Sequence, residues 1–549
     1  MGKNRKFLKI MVKTAAVILA AGATVLAGGG QNSVEAAGRP VEISSCLISG
    51  TDVVCEISAD KIPSSDDGKF YVYANEVYED GPEGEIVAET DAEEAVSVEF
   101  PLNYNTDHSN LSRKFLIAVK RDGEMVQVSD EHYITNPETT AHFTSERMDN
   151  GIKGILPDIE GTIGGDVEEL GVHQVIYNIC VDDICSDASV PDAIPFDYNG
   201  RSYYFDNETV THYDNAVKTF NHYGMQVTMV LLNRGDGEYS KDLVHPLAEG
   251  GSSPGFALNV ADEAGTEHLK AIGAFLGRRY SGAFEYGQID NWIIGNEVNA
   301  RTEWWYTNST SLDVNVGAYV KAFRIIYNEM KAMNANLRIY NSIDQEWNRK
   351  SNPGSFLAKD YLDRFNYYIN REGNIDWGLS YHPYNSPLYD PYAWNGPAVW
   401  VKDNIKTPYI TMQNIDILID YMHQEEFLNP EGEVRSISLA EIGYTSHFGD
   451  AKQEASIAYG YLKAASLPDV DAFMLFRLTD DAHEMESRLN LGLKDVDGNR
   501  KPAFEMYKKL GTPEEAEAKE RASEIIGMDI DEMISENIVW TRDDDGVVH

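Results

Sequence analysis

Asp290-Asn-Trp-Ile-Ile-Gly-Asn-Glu297 and, further along, Ser436-Ile-Ser-Leu-Ala-Glu441 are two short apolar runs that each end on a glutamate. Each run reads as a buried strand that gives way to polar loop residues at its carboxyl end. In a parallel barrel, that end carries the catalytic groups. A pair of carboxyls placed there suits the cleavage of glycosidic bonds, where one acid protonates the leaving oxygen while the other, ionised, attacks or activates water.

Working outward, the chain from about residue 140 alternates apolar strands with helical stretches, the rhythm of parallel βα units. The predicted strands are Ile152–Leu156, Val172–Ile179, Gln226–Leu232, Asn291–Ile294, Leu337–Ser342, Trp377–Tyr381, Ser436–Ala440 and Ala472–Phe476. Between them lie amphipathic helices such as Val316–Ala332, where Tyr319, Val320, Phe323, Ile326, Tyr327 and Met330 recur at helical spacing. Eight such units predict an α/β fold, a (β/α)8 TIM barrel, over residues 139–511. Its loops are long and aromatic. Asn199-Gly200 marks a two-residue hairpin after the second strand; Trp304, Trp305 and Tyr306 follow the fourth; Tyr384, Tyr389, Tyr392, Trp394 and Trp400 follow the sixth. Flat rings on a cleft rim, Trp304 among them, are platforms for the apolar faces of sugars.

Residues 38–138 differ. Short alternating runs, Val53–Ile57, Phe70–Tyr73, Val96–Phe100 and Phe115–Val119, are separated by turns such as Asp66-Asp67-Gly68 and predict a small antiparallel β-sandwich. Ahead of it, Lys3, Arg5, Lys6, Lys9 and Lys13 precede an apolar stretch from Thr14 to Leu26 and a run of small residues ending Ala36-Ala37, which predicts a secretory signal over residues 1–37. The stretch is shorter than the roughly 20 residues of a spanning helix, so cleavage and release without membrane insertion are expected. In an exported protein, Cys46 with Cys55 and Cys180 with Cys185 are spaced for two local disulfides. Residues 512–549 read as an acidic, solvated helical tail.

The 549 residues, 42% hydrophobic, support a large catalytic unit with a smaller domain beside it. The net charge of -43 becomes about -47 once the leader's five bases and one acid are removed. Nucleic acid and anionic membrane surfaces would be repelled, whereas a neutral carbohydrate would not.

Around the two glutamates the residues are chemically apt. Asn296 supplies an amide for a sugar hydroxyl, Gly295 leaves room for close approach, and His382-Pro-Tyr384 brings an imidazole and a phenol to the same rim. A phenol donating to Glu441 would keep it ionised, and burial near another carboxylate would hold Glu297 protonated. An Asn-Glu pair ending the fourth strand and a Glu ending the seventh resemble the clan A glycoside hydrolases. The closing Phe473-Met-Leu-Phe-Arg477, Gly492-Leu493-Lys494-Asp495 and Lys501-Pro502-Ala503 resemble the xylosidase- and iduronidase-like members, as a secreted bacterial branch would. The resemblance covers residues 140–511 and implies Glu297 as general acid/base and Glu441 as nucleophile of a retaining double displacement without a cofactor. It further implies glycone binding by Asn296, with His382 and Tyr384 lining the site. Two positions depart from that pattern: Phe476-Arg477 stands where a Trp is common, and Tyr177-Asn178 lacks the frequent Arg. Asn178, Asn233 and Arg477 are the polar substitutes.

Asp344, Glu346, Asp480 and Asp481 also follow barrel strands and are expected to bind sugar hydroxyls or face solvent. Asp495-Val-Asp497-Gly-Asn499 lacks the bidentate Glu of a calcium loop and is expected to be a hairpin turn. No metal is expected, since His382 alone stands convincingly at a strand end. The rival reading is a catalytically inactive carbohydrate-binding barrel at the cell surface. Sugar, linkage, chain-internal against terminal cleavage and oligomeric state stay open at this level.

Overall fold

The computed structural model describes residues 39–148 and 151–542. The expected leader, residues 1–37, lies outside the described residues. The first domain is a pair of antiparallel sheets. One holds Val41–Ser49, Asp52–Ala59 and Ala95–Pro101; the other is built on Lys69–Asn75, Glu85–Asp91, Lys114–Arg121, Glu124–Gln127 and His132–Tyr133. Alternating side chains from both sheets, among them Val53, Ile57, Phe70, Val72, Phe115 and Ile117, make one shared core, the packing of a β-sandwich.

Eight parallel strands follow: β1 (Lys153–Ile155), β2 (Gln174–Cys180), β3 (Gln226–Leu232), β4 (Asn291–Ile294), β5 (Arg338–Asp344), β6 (Gly378–His382), β7 (Ile437–Ile442) and β8 (Val470–Leu475). They pair in chain order, and β8 closes on β1, so the sheet has no edge. Strand β5 runs two residues further than its apolar pattern, because Asp344 keeps its ladder place opposite His382. Strand β7 likewise contains Glu441 rather than ending before it.

Helices wrap the barrel, and several start on side-chain caps. Asp262 accepts the Gly265 N–H at the head of Glu263–Arg279, and Ser311 accepts that of Val314 at the head of Leu312–Met333. The buried face of the latter includes Tyr319, Phe323, Ile326 and Met330, as its periodicity predicts. It also includes Glu329, 1% exposed, which receives the Ser112 hydroxyl of the sandwich at 2.7 Å and the Tyr198 hydroxyl. With Asn328 donating to the Leu111 carbonyl at 2.8 Å, this helix joins the two domains.

The hairpin Ile194–Tyr198/Arg201–Phe205 turns on Asn199 and Gly200, both with positive φ, as expected. It does not close the mouth of the barrel. Its turn leans on the sandwich, where the Asn199 N–H meets the Asn105 amide oxygen at 2.9 Å. Asp495–Asn499 forms the expected tight turn, with Asp495 accepting the N–H groups of Asp497 and Asn499.

Residues 512–542 are not a solvated tail. Helices Glu515–Ile526 and Ile530–Ser535 bury Ala518, Ala522, Ile530 and Met533 in the main core, and Trp540–Arg542 pairs in parallel with Asn395–Pro397 of the loop after β6. The apolar positions are scattered among acidic residues, so the acidic composition hid this packing. The four cysteines stand as buried thiols; Cys46 and Cys55 are direct cross-strand partners. No helix among the described residues is long and apolar enough to cross a membrane.

Candidate active site

Glu297 lies three residues beyond β4, on a turn that the local sequence makes possible. Gly295 takes φ +75°, and a Cβ there would meet the Val298 side chain at 2.9 Å and the Trp305 ring at 3.1 Å. Glu297 itself has φ +39°, a conformation that side-chain-bearing residues resist and that clusters at functional sites. Its N–H donates to Ser342 Oγ at 3.0 Å, and the next N–H, of Val298, to the Ser342 carbonyl at 2.9 Å.

Glu441 reaches the same point from β7. His382, at the end of β6, stands between the two carboxyls: Nδ1 is 2.9 Å from Glu297 Oε1 and 3.7 Å from Glu441 Oε2. The summed distances, 6.6 Å, are the widest gap those two oxygens can have. The Tyr384 hydroxyl donates to Glu441 Oε1 at 2.8 Å. His382 is sealed at 2% exposure, while the side chains of Glu297 and Glu441 keep 17% and 27%. The imidazole is therefore scaffolding, and the carboxyls are what a ligand can reach.

The electrostatics follow from this geometry. Burial disfavours a charge on His382, but the hydrogen bond that it donates to Glu297 and the field of both carboxylates outweigh it and raise its pKa. Burial raises Glu441 above the ordinary glutamate value, and Glu297 adds to the rise. His382, the Tyr384 hydrogen bond and Arg477 pull the other way without cancelling it. Burial and the neighbouring Glu441 push the Tyr384 phenol far up, so it stays a donor.

The model of a family of unknown function, DUF5722, matches residues 145–533, more than half of the chain and nearly all of the barrel. The chain belongs to DUF5722. Curated protein sequences contain no match to it. Among solved structures, this DUF5722 protein is similar to a family 39 glycoside hydrolase from Bacteroides cellulosilyticus WH2, at 15% identity over 83% of this chain and 80% of that one, TM-score 0.43. It is also similar to a glucosidase from Croceicoccus marinus, at 15% identity over 67% and 69%, TM-score 0.41. A β-glucuronidase from Bacteroides uniformis is similar at 11% identity and TM-score 0.37; the match covers 86% of this chain and half, 50%, of that one. All three TM-scores fall below 0.5, and the barrel is defined by its own closed strand order.

The remaining residues singled out in the DUF5722 sequence divide. Asn296 is partly exposed beside Glu297. Asn178 is exposed on β2 while its neighbour Tyr177 packs outward on Tyr213 and Phe220, so alternation turns Asn178 toward the barrel interior at its open end. Asn233, expected to bind substrate, is buried at 4%, and its amide donates to the Leu243 carbonyl at 2.9 Å. Trp304 is half-buried, while its neighbour Trp305 is inside, edge-on to Tyr319 at 5.0 Å. Arg477 is held by Glu484 at 3.0 Å and Asp481 at 3.7 Å.

Asp344 and Glu346 do not face solvent; both are buried, and both lie in the field of Glu297. Asp480 is tied to Lys501 at 2.7 Å, and Asp481 caps the helix Ala482–Met485. A cluster of Asp182, Asp183 and Asp236 near the end of β2 is occupied internally: Asp182 accepts the N–H groups of Arg234, Asp236 and Gly237, and Arg234 pairs with Asp236 at 2.8 Å. Sequence reading passed over Ser342 and Asn299. Their spacing carries no signal, because their importance arises only when the β4 turn meets the end of β5.

Proposed function

We propose that this DUF5722 protein is an exported glycoside hydrolase that cleaves O-glycosidic bonds of a poly- or oligosaccharide with retention of anomeric configuration. The observation that carries the reading is His382 Nδ1 within reach of two partly open carboxyls, at 2.9 and 3.7 Å. The 6.6 Å ceiling on the gap between Glu297 Oε1 and Glu441 Oε2 accommodates the roughly 5–5.5 Å of a retaining pair and falls short of all but the lowest end of the roughly 6.5–9.5 Å of an inverting one. Glu297 protonates the leaving oxygen while a Glu441 oxygen attacks the anomeric carbon, breaking the glycosidic bond and forming a glycosyl ester. Glu297, now ionised, then takes a proton from the water that hydrolyses the ester. Tyr384 orients Glu441, Asn296 binds the glycone beside the scissile bond, and Asn178 offers a polar contact across the mouth.

The test is product release from a panel of plant and microbial glycans by the protein and by Glu441→Ala and Glu297→Ala, with the product anomer followed by NMR. Turnover lost in both variants, with the substrate's own anomer appearing first, supports the reading. Turnover untouched by either change overturns the site, and glycan binding without turnover replaces the enzyme with a silent binding barrel. Export is checked by the amino terminus of the protein recovered from the medium, expected after Ala36 or Ala37. Two local disulfides there would lower its intact mass by the four hydrogens of the Cys46–Cys55 and Cys180–Cys185 thiols.

A further inference from the structure

The end of β5 carries a third carboxyl that the mechanism above does not use. Asp344 is 5% exposed and two residues beyond Ser342, so both side chains point into the barrel from the same face of the strand. Asp344 Oδ1 accepts the Asn299 Nδ2–H at 2.8 Å, and the Asp344 N–H returns to Asn299 Oδ1 at 3.1 Å. Together with the Ser342 bonds to Glu297 and Val298, three successive residues of the β4 turn are fastened to one strand end. A left-handed residue such as Glu297, at φ +39°, persists only where its surroundings over-determine it. The Asn299–Asp344 pair is the outer member of that clamp. It is anchored in turn, because Oδ1 also accepts the Glu346 N–H at 2.8 Å and the Glu346 carboxylate accepts the Ser351 N–H.

We propose that Asp344 is a positioning residue for Glu297: through Asn299 it holds the turn after β4 so that the Glu297 carboxyl meets His382 Nδ1 and the cleft. The role of the delivered carboxyl rests on the glycosidase reading; the delivery does not. The charged groups acting on Asp344 are Glu346 and Glu297, and burial with these two carboxylates raises its pKa well above the usual range. Both of its accepted hydrogen bonds fall on Oδ1, a part that an asparagine amide oxygen can play.

Two readouts separate this role from a general structural one. His382 is faced by Glu297, Glu441 and Ser342, and its raised pKa depends on the Glu297 hydrogen bond. The His382 imidazole NMR signal, assigned by its loss in His382→Asn, is titrated in the full chain and in folded Asp344→Ala, Asn299→Ala and Asp344→Asn. Its midpoint is expected to fall in the first two variants and to recover in the third. In parallel, aryl glycosides of the accepted sugar are compared. Asp344→Ala is expected to lose about 100-fold in kcat, with little change in KM, on poor leaving groups that need a placed acid, and far less on dinitrophenyl glycosides.

The double variant Asp344→Ala/Asn299→Ala is expected to be no worse than either single change, since both break one connection. An unmoved His382 midpoint in Asp344→Ala, additive losses in the double variant, or Asp344→Asn as damaging as Asp344→Ala each overturns the proposal. Should Asp344→Ala not fold, Asn299→Ala decides by the same midpoint. A wild-type chain that cleaves no glycoside sinks the glycosidase reading alone, and the His382 titration still decides the positioning role.

Discussion

Glu441 and Glu329 are built alike and do different work. Each is a glutamate inside the fold that receives a tyrosine hydroxyl, Tyr384 in one case and Tyr198 in the other. Burial raises the pKa of both, Glu329 to about 7. The difference is access: Glu441 keeps 27% of its side chain open beside a second carboxyl, whereas Glu329 is closed at 1% between two domains. A perturbed carboxyl with a phenol donor is thus no sign of chemistry until something can reach it.

That contrast can be broken most forcefully at the mouth. Glu441→Ala is expected to lower kcat by about 10^4-fold or more, and Glu297→Ala by about 10^2 to 10^4-fold on substrates with poor leaving groups, with melting temperature nearly unchanged. A large fall in thermal stability in either variant would make the mouth a structural site like the junction. Glu329→Ala should do the reverse. It strands the Ser112 and Tyr198 hydroxyls and is expected to cost about 2–5 kcal/mol in denaturant unfolding while glycoside turnover by the folded fraction is retained.

The third prediction concerns pH. Glu329 has a pKa of about 7 in the folded chain against an ordinary value of 4.5, so between these the native state binds the extra proton. Its contribution to stability therefore falls as pH rises through that window, by about 3 kcal/mol in all. Glu372 and Glu484, also at about 7, slope the same way, so the measurement is the difference between wild type and Glu329→Gln. The slope should be shallower in the variant, and an identical slope would remove Glu329 from the account. The smallest effect is at Tyr384. Its hydrogen bond lowers the Glu441 pKa, so Tyr384→Phe should raise that pKa further. The acid limb of kcat/KM should then move to higher pH, with about a tenfold loss of rate. A limb moving to lower pH would show that Tyr384 is not the donor.

Much of this architecture was legible in the sequence for a simple reason. Strands β3 and β4 are buried on both faces and mostly apolar, so Gln226–Leu232 and Asn291–Ile294 could be read to the residue. Asn199-Gly200 announced its turn through backbone preference alone. The two glutamates stood out by their place at strand ends. What stayed hidden depends on partners distant in the chain: Asn299 gains meaning from Asp344, and Glu329 from Ser112, 217 residues away. Asn233 likewise has a partner that the sequence did not announce, the Leu243 carbonyl that accepts its amide N–H. Composition misled at residues 512–542, where Ala518, Ala522, Ile530 and Met533 make the contact within an otherwise acidic stretch.

The final strand of the described chain has a practical side. Trp540–Arg542 lies alongside Asn395–Pro397, and Arg542 pairs with Asp390 and stacks over Tyr392 at 4.8 Å. These partners belong to the long loop that follows His382, the segment that also carries Tyr384, whose hydroxyl donates to Glu441. Trimming the chain at the barrel's last helix to ease expression would therefore unfasten one bank of the cleft.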